Sequence, residues 1–376
     1  MKLGNEALTF DDVLLQPGKS TFTRNDIELA TQFARDVYMP IPFVSSPMDT
    51  VTEHEMAIEL GRLGGVGVIH RNLTIEAQAE EVSLVKAAAD HSFAAAAIGT
   101  GNGYERRLAA LVEAGTDAIV IDTAHGYTDF LLDTLAYAKK TYPKLHVVAG
   151  SIATPDAAME LINAGADALR VGMGPGAICT TRIVSGMGVP QLTAIMEVAE
   201  VAQPAGVPVI ADGGINYPGD ITKALAAGAS SVMMGRLFAA TEESPGEIIS
   251  LQASEVPSRF QSILNGAQAY RFKAYRGMGS IGAMERGRQV AAEDEFHGKS
   301  YAGNDFGTLV PEGVEGLVPC SGSVAELIGQ LTVGLTQGMF YTGCRTIPEL
   351  YDKAVFRPIT QASLHESHPH DIFVTR

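Results

Sequence analysis

The stretch Ala168-Leu-Arg-Val-Gly-Met-Gly-Pro-Gly-Ala-Ile-Cys-Thr-Thr-Arg182 joins a short apolar run to a glycine-rich loop that contains a cysteine. A short apolar run bounded by glycines is typical of a buried β-strand. Similar runs recur along most of the chain, and segments of helical length and amphipathic character lie between them. This alternation of strands and helices predicts a parallel sheet covered by helices.

Eight such runs can be counted, and they predict strands over residues 41–46, 66–69, 93–98, 118–121, 146–149, 168–171, 207–210 and 231–234. Helices are predicted between them, for example over 51–63 and 74–90, and several end in Ala-Gly pairs that suit a left-handed final residue. Eight strands favour an α/β fold with a closed (β/α)8 TIM barrel over an open sheet, because closure leaves no edge. The carboxyl ends of the strands then share one face, where we expect the chemistry.

The pattern changes after the eighth strand. Residues from about 242 to 316 show no clean period, and 286–307 are rich in charged residues, glycine and asparagine, which predicts an irregular insertion with a mobile flap. Helical periodicity returns at 323–337 and is expected to close the barrel. The tail, residues 365–370, is predicted to be extended and to reach a neighbouring subunit. We predict one catalytic domain over 1–376.

The composition excludes several classes of protein. The chain has 376 residues, 46% of them hydrophobic, and a net charge of −16, which argues against nucleic acid or an anionic membrane as the main partner. Its three cysteines, Cys179, Cys320 and Cys344, do not suit a disulfide framework or a CxxC metal site, and they indicate a reducing compartment. Without a signal peptide or a membrane-length apolar run, the sequence predicts a soluble cytoplasmic protein.

Two loops predict a phosphate site. Asp212-Gly213-Gly214 follows the seventh strand and Gly235-Arg236 follows the eighth, and these are the loops on which TIM barrels commonly bind phosphate. Glycine N–H groups and a guanidinium fork both suit an anion. The alternative is a purely structural role, in which these glycines only form tight turns.

Cys179 is the candidate nucleophile. Free cysteines are most often buried and inert, but this thiol ends a Gly/Pro loop in polar surroundings, and Arg182 is expected to favour the thiolate. The loop lacks the Gly-Lys-Ser/Thr ending of a P-loop and is not a dinucleotide fingerprint, so its carbonyls are candidates for a monovalent cation instead. No histidine spacing indicates a metal site, and Cys320 and Cys344 are interpreted as structural.

Seven motifs occur in an order that resembles the IMP dehydrogenase family. They are Leu8-Thr-Phe-Asp-Asp-Val-Leu-Leu15, Ser46-Pro-Met-Asp-Thr-Val-Thr-Glu53, Gly174-Pro-Gly-Ala-Ile-Cys-Thr-Thr-Arg182, Gly188-Val-Pro-Gln191, Ala211-Asp-Gly-Gly-Ile215, Tyr275-Arg-Gly-Met-Gly-Ser280 and Pro311-Glu-Gly-Val-Glu-Gly316. The resemblance runs from Leu8 to the C-terminus. The related GMP reductases share the barrel and the cysteine loop, but the sixth motif and the long flap favour the dehydrogenase.

The resemblance also concerns domain organisation. Most members of the family carry a regulatory CBS-domain pair between the second helix and the third strand. Here only about 20 residues separate Asn72 from Phe93, and the predicted helix uses all of them. We therefore predict that the CBS pair is absent.

The resemblance implies oxidation of IMP to XMP with NAD. Cys179 would attack C2 of the purine, hydride would pass to the nicotinamide, and the thioimidate left on the cysteine would be hydrolysed. In the family an Arg-Tyr pair on the flap activates water, and the tyrosine matches Tyr301, while Thr181 and Glu312 support proton transfer.

The family's binding residues carry over to specific positions. The implied substrate residues are Ser46, Met48, Arg170, Ala177, Asp212, Gly213, Gly214, Gly235, Arg236, Tyr275, Gly277, Met278, Gly279 and Glu312. The implied cofactor residues are Asp122, Thr123, Ala124, Ser151, Gly172, Met173 and Gly174. A potassium ion is implied at Gly174, Gly176 and Cys179, shared across subunits of a homotetramer with Glu366, Ser367 and His368.

Several positions depart from the family pattern. Ser300 stands where the flap arginine is expected. The adjacent Lys299 is a candidate substitute, but not a conservative one, because its charge is less delocalised and its pKa differs from that of arginine. Ala177 and Arg236 replace two serines of the phosphate site. At the cofactor, Asp122-Thr-Ala replaces Asp-Ser-Ser, and Ser151 replaces an asparagine.

These departures leave three alternatives open. A GMP reductase would need no Arg-Tyr flap. An FMN oxidoreductase is a second alternative, because Asp-Gly-Gly-Ile followed by Gly-Arg after the next strand also resembles the FMN-phosphate site of flavin barrels. The third is a nucleotide-binding regulator without turnover.

Overall fold

The computed structural model describes residues 4–88, 93–258, 260, 269–293 and 310–372. The expected flap residues Lys299, Ser300 and Tyr301 lie outside these ranges.

The described residues form strands and helices in nearly strict alternation. The strands are β1 (Val13–Leu15), β2 (Thr31–Ala34), β3 (Val37–Met39), β4 (Phe43–Ser45), β5 (Val66–Ile69), β6 (Ala95–Ile98), β7 (Ala118–Asp122), β8 (His146–Ile152), β9 (Ala168–Val171), β10 (Val209–Asp212), β11 (Ser231–Met234), β12 (Ile248–Gln252), β13 (Ala269–Arg276), β14 (Glu315–Pro319) and β15 (Phe356–Pro358). The helices are α1 (His54–Arg62), α2 (Ile75–Ala88), α3 (Tyr104–Glu113), α4 (Asp129–Thr141), α5 (Pro155–Asn163), α6 (Thr181–Ser185), α7 (Gln191–Ala202), α8 (Pro218–Ala226), α9 (Arg236–Ala239), α10 (Ile281–Glu293), α11 (Val324–Thr342), α12 (Ile347–Lys353) and α13 (Gln361–Glu366).

Strands β4 to β11 close into an eight-stranded parallel barrel, which confirms the predicted TIM barrel. All eight predicted strands are present, with ends that differ by up to three residues. Alternate residues of one strand face two cores: Ile119 and Ile121 of β7 pack against the outer helices, whereas Ala118 and Val120 pack inside the barrel with Phe33 of β2. This double burial explains why the barrel strands are mostly apolar.

The predicted helix ends are confirmed at the Ala-Gly pairs. Gly115, Gly165 and Gly228 follow α3, α5 and α8 with φ angles of 93°, 95° and 109°. These are left-handed conformations that glycine adopts without the steric cost a Cβ would carry.

The insertion after β11 is more regular than the sequence pattern predicts. β12, β13 and β14 form a three-stranded antiparallel sheet, and α10 lies between β13 and β14 in the chain. β12 alternates between exposed and half-buried residues, so it lacks the continuous apolar run by which the barrel strands were found.

Two further expectations change at the C-terminus. α11 extends to Thr342, five residues beyond the predicted helix. The tail was predicted to be extended, but residues up to Glu366 belong to α13, where the Thr360 hydroxyl caps the helix by accepting from the Ser363 N–H at 3.3 Å. In the part of the chain that the structure describes, no helix has the length and apolarity needed to cross a membrane.

Candidate active site

A cleft of about 840 Å³ lies at the carboxyl ends of the barrel strands, bounded by the insertion. It brings together most of the residues predicted from sequence: Ser46, Met48, Asp122, Thr123, Ala124, Ser151, Arg170, Gly172, Gly174, Gly176, Cys179, Thr181, Asp212, Gly213, Gly235, Tyr275, Gly277, Met278, Gly279 and Glu312. Typical small-ligand sites span about 300–1000 Å³, so the cleft has the size of a small-molecule site.

Cys179 begins a chain of hydrogen bonds inside the cleft. Its thiol donates to the Thr181 hydroxyl at 3.2 Å, and that hydroxyl donates to a carboxylate oxygen of Glu312 at 2.9 Å. Thr181 is only 7% exposed. A thiol connected through one hydroxyl to a carboxylate has a route by which its proton can leave, as an activated nucleophile requires.

Backbone contacts hold the cysteine loop against the segment that carries Glu312. The Thr180 N–H donates to the Glu312 carbonyl at 3.1 Å, and the Val314 N–H donates to the Ile178 carbonyl at 2.9 Å. Nucleophile and carboxylate come from positions 133 residues apart, and these ladder-like bonds set their separation. The sequence contained both motifs but not this pairing.

Arg182 has a different place from the one expected. Its guanidinium donates to the carbonyls of Met173 at 3.1 Å and Val189 at 2.7 Å. These bonds connect the glycine loop to the segment that precedes α7. The sulfur of Cys179 instead has its hydrogen bond with Thr181, so Arg182 supports the loop rather than pairing with the thiol.

Arg170 is the centre of a buried polar cluster on the cofactor side. It donates to Asp122 at 2.7 Å and to the Ser151 hydroxyl at 2.8 Å, and its Nε lies 3.5 Å from a carboxylate oxygen of Asp212. Arg71 approaches the second oxygen of Asp122 at 3.3 Å. Arg170 is 5% exposed, so these are charge-assisted contacts in a largely desolvated setting.

The pKa values of the two carboxyl groups in this cluster are shifted in opposite directions. Burial tends to raise the pKa of Asp122, but the guanidiniums of Arg170 and Arg71 outweigh it and hold that pKa below its usual range. Burial raises the pKa of Asp212 to about 6, because Arg170 offsets only part of the desolvation and the Asp122 charge adds to it. Displaced values of this kind are typical of functional sites.

The two loops of the predicted phosphate site meet beside Tyr275. A Cβ on Gly235 would lie 2.7 Å from the Tyr275 hydroxyl oxygen and 3.1 Å from the sulfur of Met48, so a side chain at this position would displace one or both of them. Arg236 is half-buried, and its guanidinium lies 3.4 Å from the carbonyl oxygen of Asn216, on the loop after β10. The residue that replaces a family serine therefore bridges the two loops.

Some predicted residues do not line the cleft. Ala177, Gly214, Arg236 and Met173 belong to its loops but not to its wall. The tail residues Glu366, Ser367 and His368 lie at the end of α13, and the ring of His368 is 6.0 Å from that of Tyr217.

The cleft also contains residues for which the sequence had suggested no role. Arg71, Thr100, Asn102, Phe130, Ile178, Met284 and Val310 line it. Arg71 follows β5, and Thr100 and Asn102 lie shortly after β6, so a systematic search beyond strand ends would have found them. Phe130 is 71% exposed on α4, where its type and spacing carry no signal.

Comparison with known proteins agrees with this geometry. The IMP dehydrogenase / GMP reductase domain matches residues 7–370. Similar proteins include the inosine-5'-monophosphate dehydrogenases of Borreliella burgdorferi (41% identity over 99% of this chain and 98% of the relative), Chlorobaculum tepidum (36%, 100% and 98%) and Aquifex aeolicus (37%, 99% and 96%).

The alignments with these relatives extend over 420, 503 and 497 positions, whereas the chain has 376 residues. The shorter chain is consistent with the absence of a CBS-domain pair. The match of the domain over almost the whole sequence, on a barrel with its cysteine loop at the carboxyl ends of the strands, shows that the chain belongs to the IMP dehydrogenase / GMP reductase family.

Proposed function

We propose that this chain is a single catalytic domain that oxidises IMP to XMP with NAD, a step of guanine nucleotide synthesis. The observation that carries the proposal is the hydrogen-bonded series Cys179, Thr181 and Glu312 inside the cleft. The dehydrogenase names of its relatives support this direction of reaction over the reduction of GMP. The three cysteines are free, which suits the reducing cytoplasm.

The substrate would lie between the cysteine loop and the insertion. Its phosphate would contact the glycine N–H groups of the loops after β10 and β11, and the guanidinium of Arg236 would supply the charge that two missing serine hydroxyls do not. Ser46 and Ala177 lie on the adjoining loops. The purine would lie against Met48 and residues 277–279, which line the cleft near Tyr275.

The described residues suit a nicotinamide dinucleotide. The cleft continues from Cys179 past Gly172 and Gly174 to Asp122, Thr123, Ala124 and Ser151, and Phe130 offers an aromatic face at its edge. Hydroxyl and carboxylate groups beside an exposed ring match the ribose and base of such a ligand. When bound, NAD would accept the hydride that leaves C2 of the purine.

The chain's own residues account for the remaining chemistry. Cys179 gives its proton through Thr181 to Glu312 and forms a bond from sulfur to C2. Loss of hydride from C2 leaves a thioimidate on the cysteine. Glu312 releases the proton of Cys179 to solvent. Water then adds at C2 and gives a proton to Glu312, and this proton returns through Thr181 to the sulfur as the carbon–sulfur bond breaks and the thiol is restored. The balance is IMP, NAD+ and water to XMP, NADH and one proton.

Hydrolysis is the step that should depend most on Thr181 and Glu312, because Ser300 replaces the arginine that the family uses. We expect Thr181→Val and Glu312→Gln each to lower kcat about 10²- to 10³-fold, since general acid–base catalysis contributes about 10²- to 10⁴-fold. Rapid mixing should show a burst of NADH near one per active site and a slow steady state. Thr180→Val is the matched control, because its hydroxyl makes only a 3.4 Å contact with the Pro311 carbonyl.

The burst should form more slowly than in the wild type, because Thr181 and Glu312 also accept the proton of Cys179 in the first step. A complete loss of the burst in these variants, with Thr180→Val unaffected, would make activation of the thiol their main role and contradict the hydrolytic one.

The proposed reaction is tested with the unmodified protein. It is incubated with IMP and NAD, and separately with GMP and NADPH, while absorbance of the reduced cofactor is followed. Steady production of NADH in the first mixture supports the proposal. Consumption of NADPH in the second would identify a GMP reductase, a yellow purified protein would identify a flavin enzyme, and nucleotide binding without any turnover would identify a regulator.

We further propose that carbonyls of Gly174, Gly176 and Cys179 hold a potassium ion, completed by Glu366, Ser367 and His368 across the interface of a homotetramer. Rings of backbone carbonyls are a usual environment for this ion. Gly174 has a φ angle of 77°, which turns the loop backbone sharply at this point. Replacing potassium with N-methylglucamine in the oxidation assay should lower the rate, and unchanged turnover would exclude the ion.

A further inference from the structure

Asp49 and Arg276 form a two-point ion pair behind the cleft. The Arg276 guanidinium donates through its terminal nitrogen to Asp49 at 2.6 Å and through Nε to the two carboxylate oxygens at 3.0 and 3.1 Å. The Asp49 side chain is 5% exposed and that of Arg276 is 27% exposed. The pair connects the loop after β4 to the end of β13, elements that are more than 200 residues apart in the chain.

Asn72 adds a third element to this pair. Its side-chain amide donates to the same Asp49 carboxylate at 2.7 Å and to the Ala283 carbonyl of α10 at 3.1 Å. The Asn72 backbone N–H donates to Nδ1 of His70 at 3.1 Å, and Nε2 of the same ring lies 3.1 Å from a carboxylate oxygen of Glu53. The orientation of Asn72 is therefore held from both sides.

None of these contacts involves a residue with an assigned role in the reaction. Each contact residue, however, is next in the chain to a residue that lines the cleft. Met48 precedes Asp49, residues 277–279 follow Arg276, and Met284 follows Ala283, and all of them line the cleft. Asp49 and Arg276 do not line it themselves. Their bidentate pair fixes the separation of the β4 loop from residues 277–279, the two walls between which the purine is proposed to lie.

The catalytic series has contacts of its own with the cysteine loop. The Glu312 carbonyl accepts from the Thr180 N–H and its carboxylate accepts from Thr181, while its N–H joins it to the Gly279 carbonyl at 3.0 Å. A change in the ion pair should therefore move the purine walls more than the groups that carry out the chemistry.

We propose that Asp49, Arg276 and Asn72 are positioning residues that set the affinity for the purine nucleotide by holding Met48, residues 277–279 and Met284 at their distances around the base. This inference rests on the proposed function, since it concerns the same site.

The test uses Asp49→Asn, Arg276→Gln, Arg276→Lys and the double variant Asp49→Asn with Arg276→Gln. Arg271→Gln is the matched control, because Arg271 lies on the same strand but its 3.7 Å pair with Glu242 is exposed and remote from the cleft. Steady-state kinetics with IMP and NAD give KM and kcat. Calorimetric titration with IMP gives Kd, and thermal unfolding monitors stability.

We expect each single substitution by a neutral residue to raise KM and Kd for IMP about 10-fold with kcat within about 3-fold, the signature of lost uniform binding. Arg276→Lys should recover part of the affinity, because it keeps the charge but not the fork. The KM and Kd of the double variant should exceed those of the more impaired single variant by no more than about 2-fold, since the two residues share one interaction. Arg271→Gln should match the wild type.

The inference is overturned if KM and Kd stay unchanged, if kcat alone falls, or if the two single effects add fully. If Asp49→Asn does not fold, the KM and kcat values of Arg276→Lys test the inference on their own. If the unmodified protein binds IMP but neither it nor any variant oxidises it, the proposed function fails, and Kd alone still tests the positioning role.

Discussion

Replacing Cys179 with alanine is expected to lower kcat by at least about 10⁴-fold and to leave the Kd for IMP within about 3-fold of the wild type. The sulfur makes the bond to C2 in the proposed reaction, and its only side-chain contact in the described structure is the hydrogen bond to Thr181. The walls proposed to bind the nucleotide belong to other loops, so binding should survive. NADH production in steady state and calorimetric titration with IMP measure the two quantities.

Cys320→Ala is the control for this prediction. Cys320 directly follows β14, lies outside the cleft, and burial raises the pKa of its thiol, so it is a poor nucleophile at neutral pH. Mass spectrometry of the wild type quenched during turnover should show the mass of the nucleotide on the peptide that contains Cys179. Retained turnover in Cys179→Ala, or an adduct on Cys320, would contradict covalent catalysis at Cys179.

Arg170→Met is expected to have the largest effect on stability, lowering the free energy of unfolding by about 3–5 kcal/mol at pH 8. After the substitution, Arg71 is the ion-pair partner that remains for the buried carboxylate of Asp122 in the described structure. Asp212 loses the guanidinium that partly offsets the cost of burying its charge. Cofactor affinity should fall as well, because Arg170 also holds the Ser151 hydroxyl at the cleft wall. Chemical denaturation and NAD titration test both effects.

The loss of stability in Arg170→Met should depend on pH in a defined direction. The folded-state pKa of Asp212 is about 6, already above its ordinary value, and removing Arg170 raises it further. The same loss raises the pKa of Asp122, because the guanidinium of Arg170 helps to hold that pKa below its usual range. Protonation in the folded state then relieves the unpaired charge as the pH falls, so the destabilisation should be smaller at pH 5 than at pH 8.

Arg182→Met is the matched control for the pH effect. Its guanidinium donates to carbonyl oxygens of Met173 and Val189, which do not titrate, so its loss of stability should be nearly equal at the two pH values. Equal losses at pH 5 and pH 8 in Arg170→Met would contradict the assignment of Asp122 and Asp212 as its charged partners.

Local pattern alone was enough to predict the barrel. Strands such as β5 and β6 are buried at every residue, and this continuous burial appears in the sequence as an unbroken apolar run. The Ala-Gly pairs that end the helices could also be predicted from local sequence, because the left-handed conformation is a property of one residue. For the same reason β12 and β13 escaped prediction: their burial comes from contacts with each other and with β14, not from a run of apolar residues.

The individual residues of the cleft were also accessible from sequence, since motifs at the ends of parallel strands must share one face. Their contacts were not. The bond between Thr181 and Glu312, the four-residue cluster around Arg170, and the ion pair of Asp49 with Arg276 each join positions that are far apart in the chain.

What the sequence by itself determined is therefore the barrel, the glycine loop and the cysteine that the loop presents. Only the tertiary structure decided that Cys179, Thr181 and Glu312 form one hydrogen-bonded series, that Arg182 supports the loop instead of the thiol, and that Asp49 and Arg276 connect two walls of the cleft. The physical reason is that backbone conformation and burial follow from neighbouring residues, whereas a hydrogen bond or an ion pair depends on distances set by the whole folded chain.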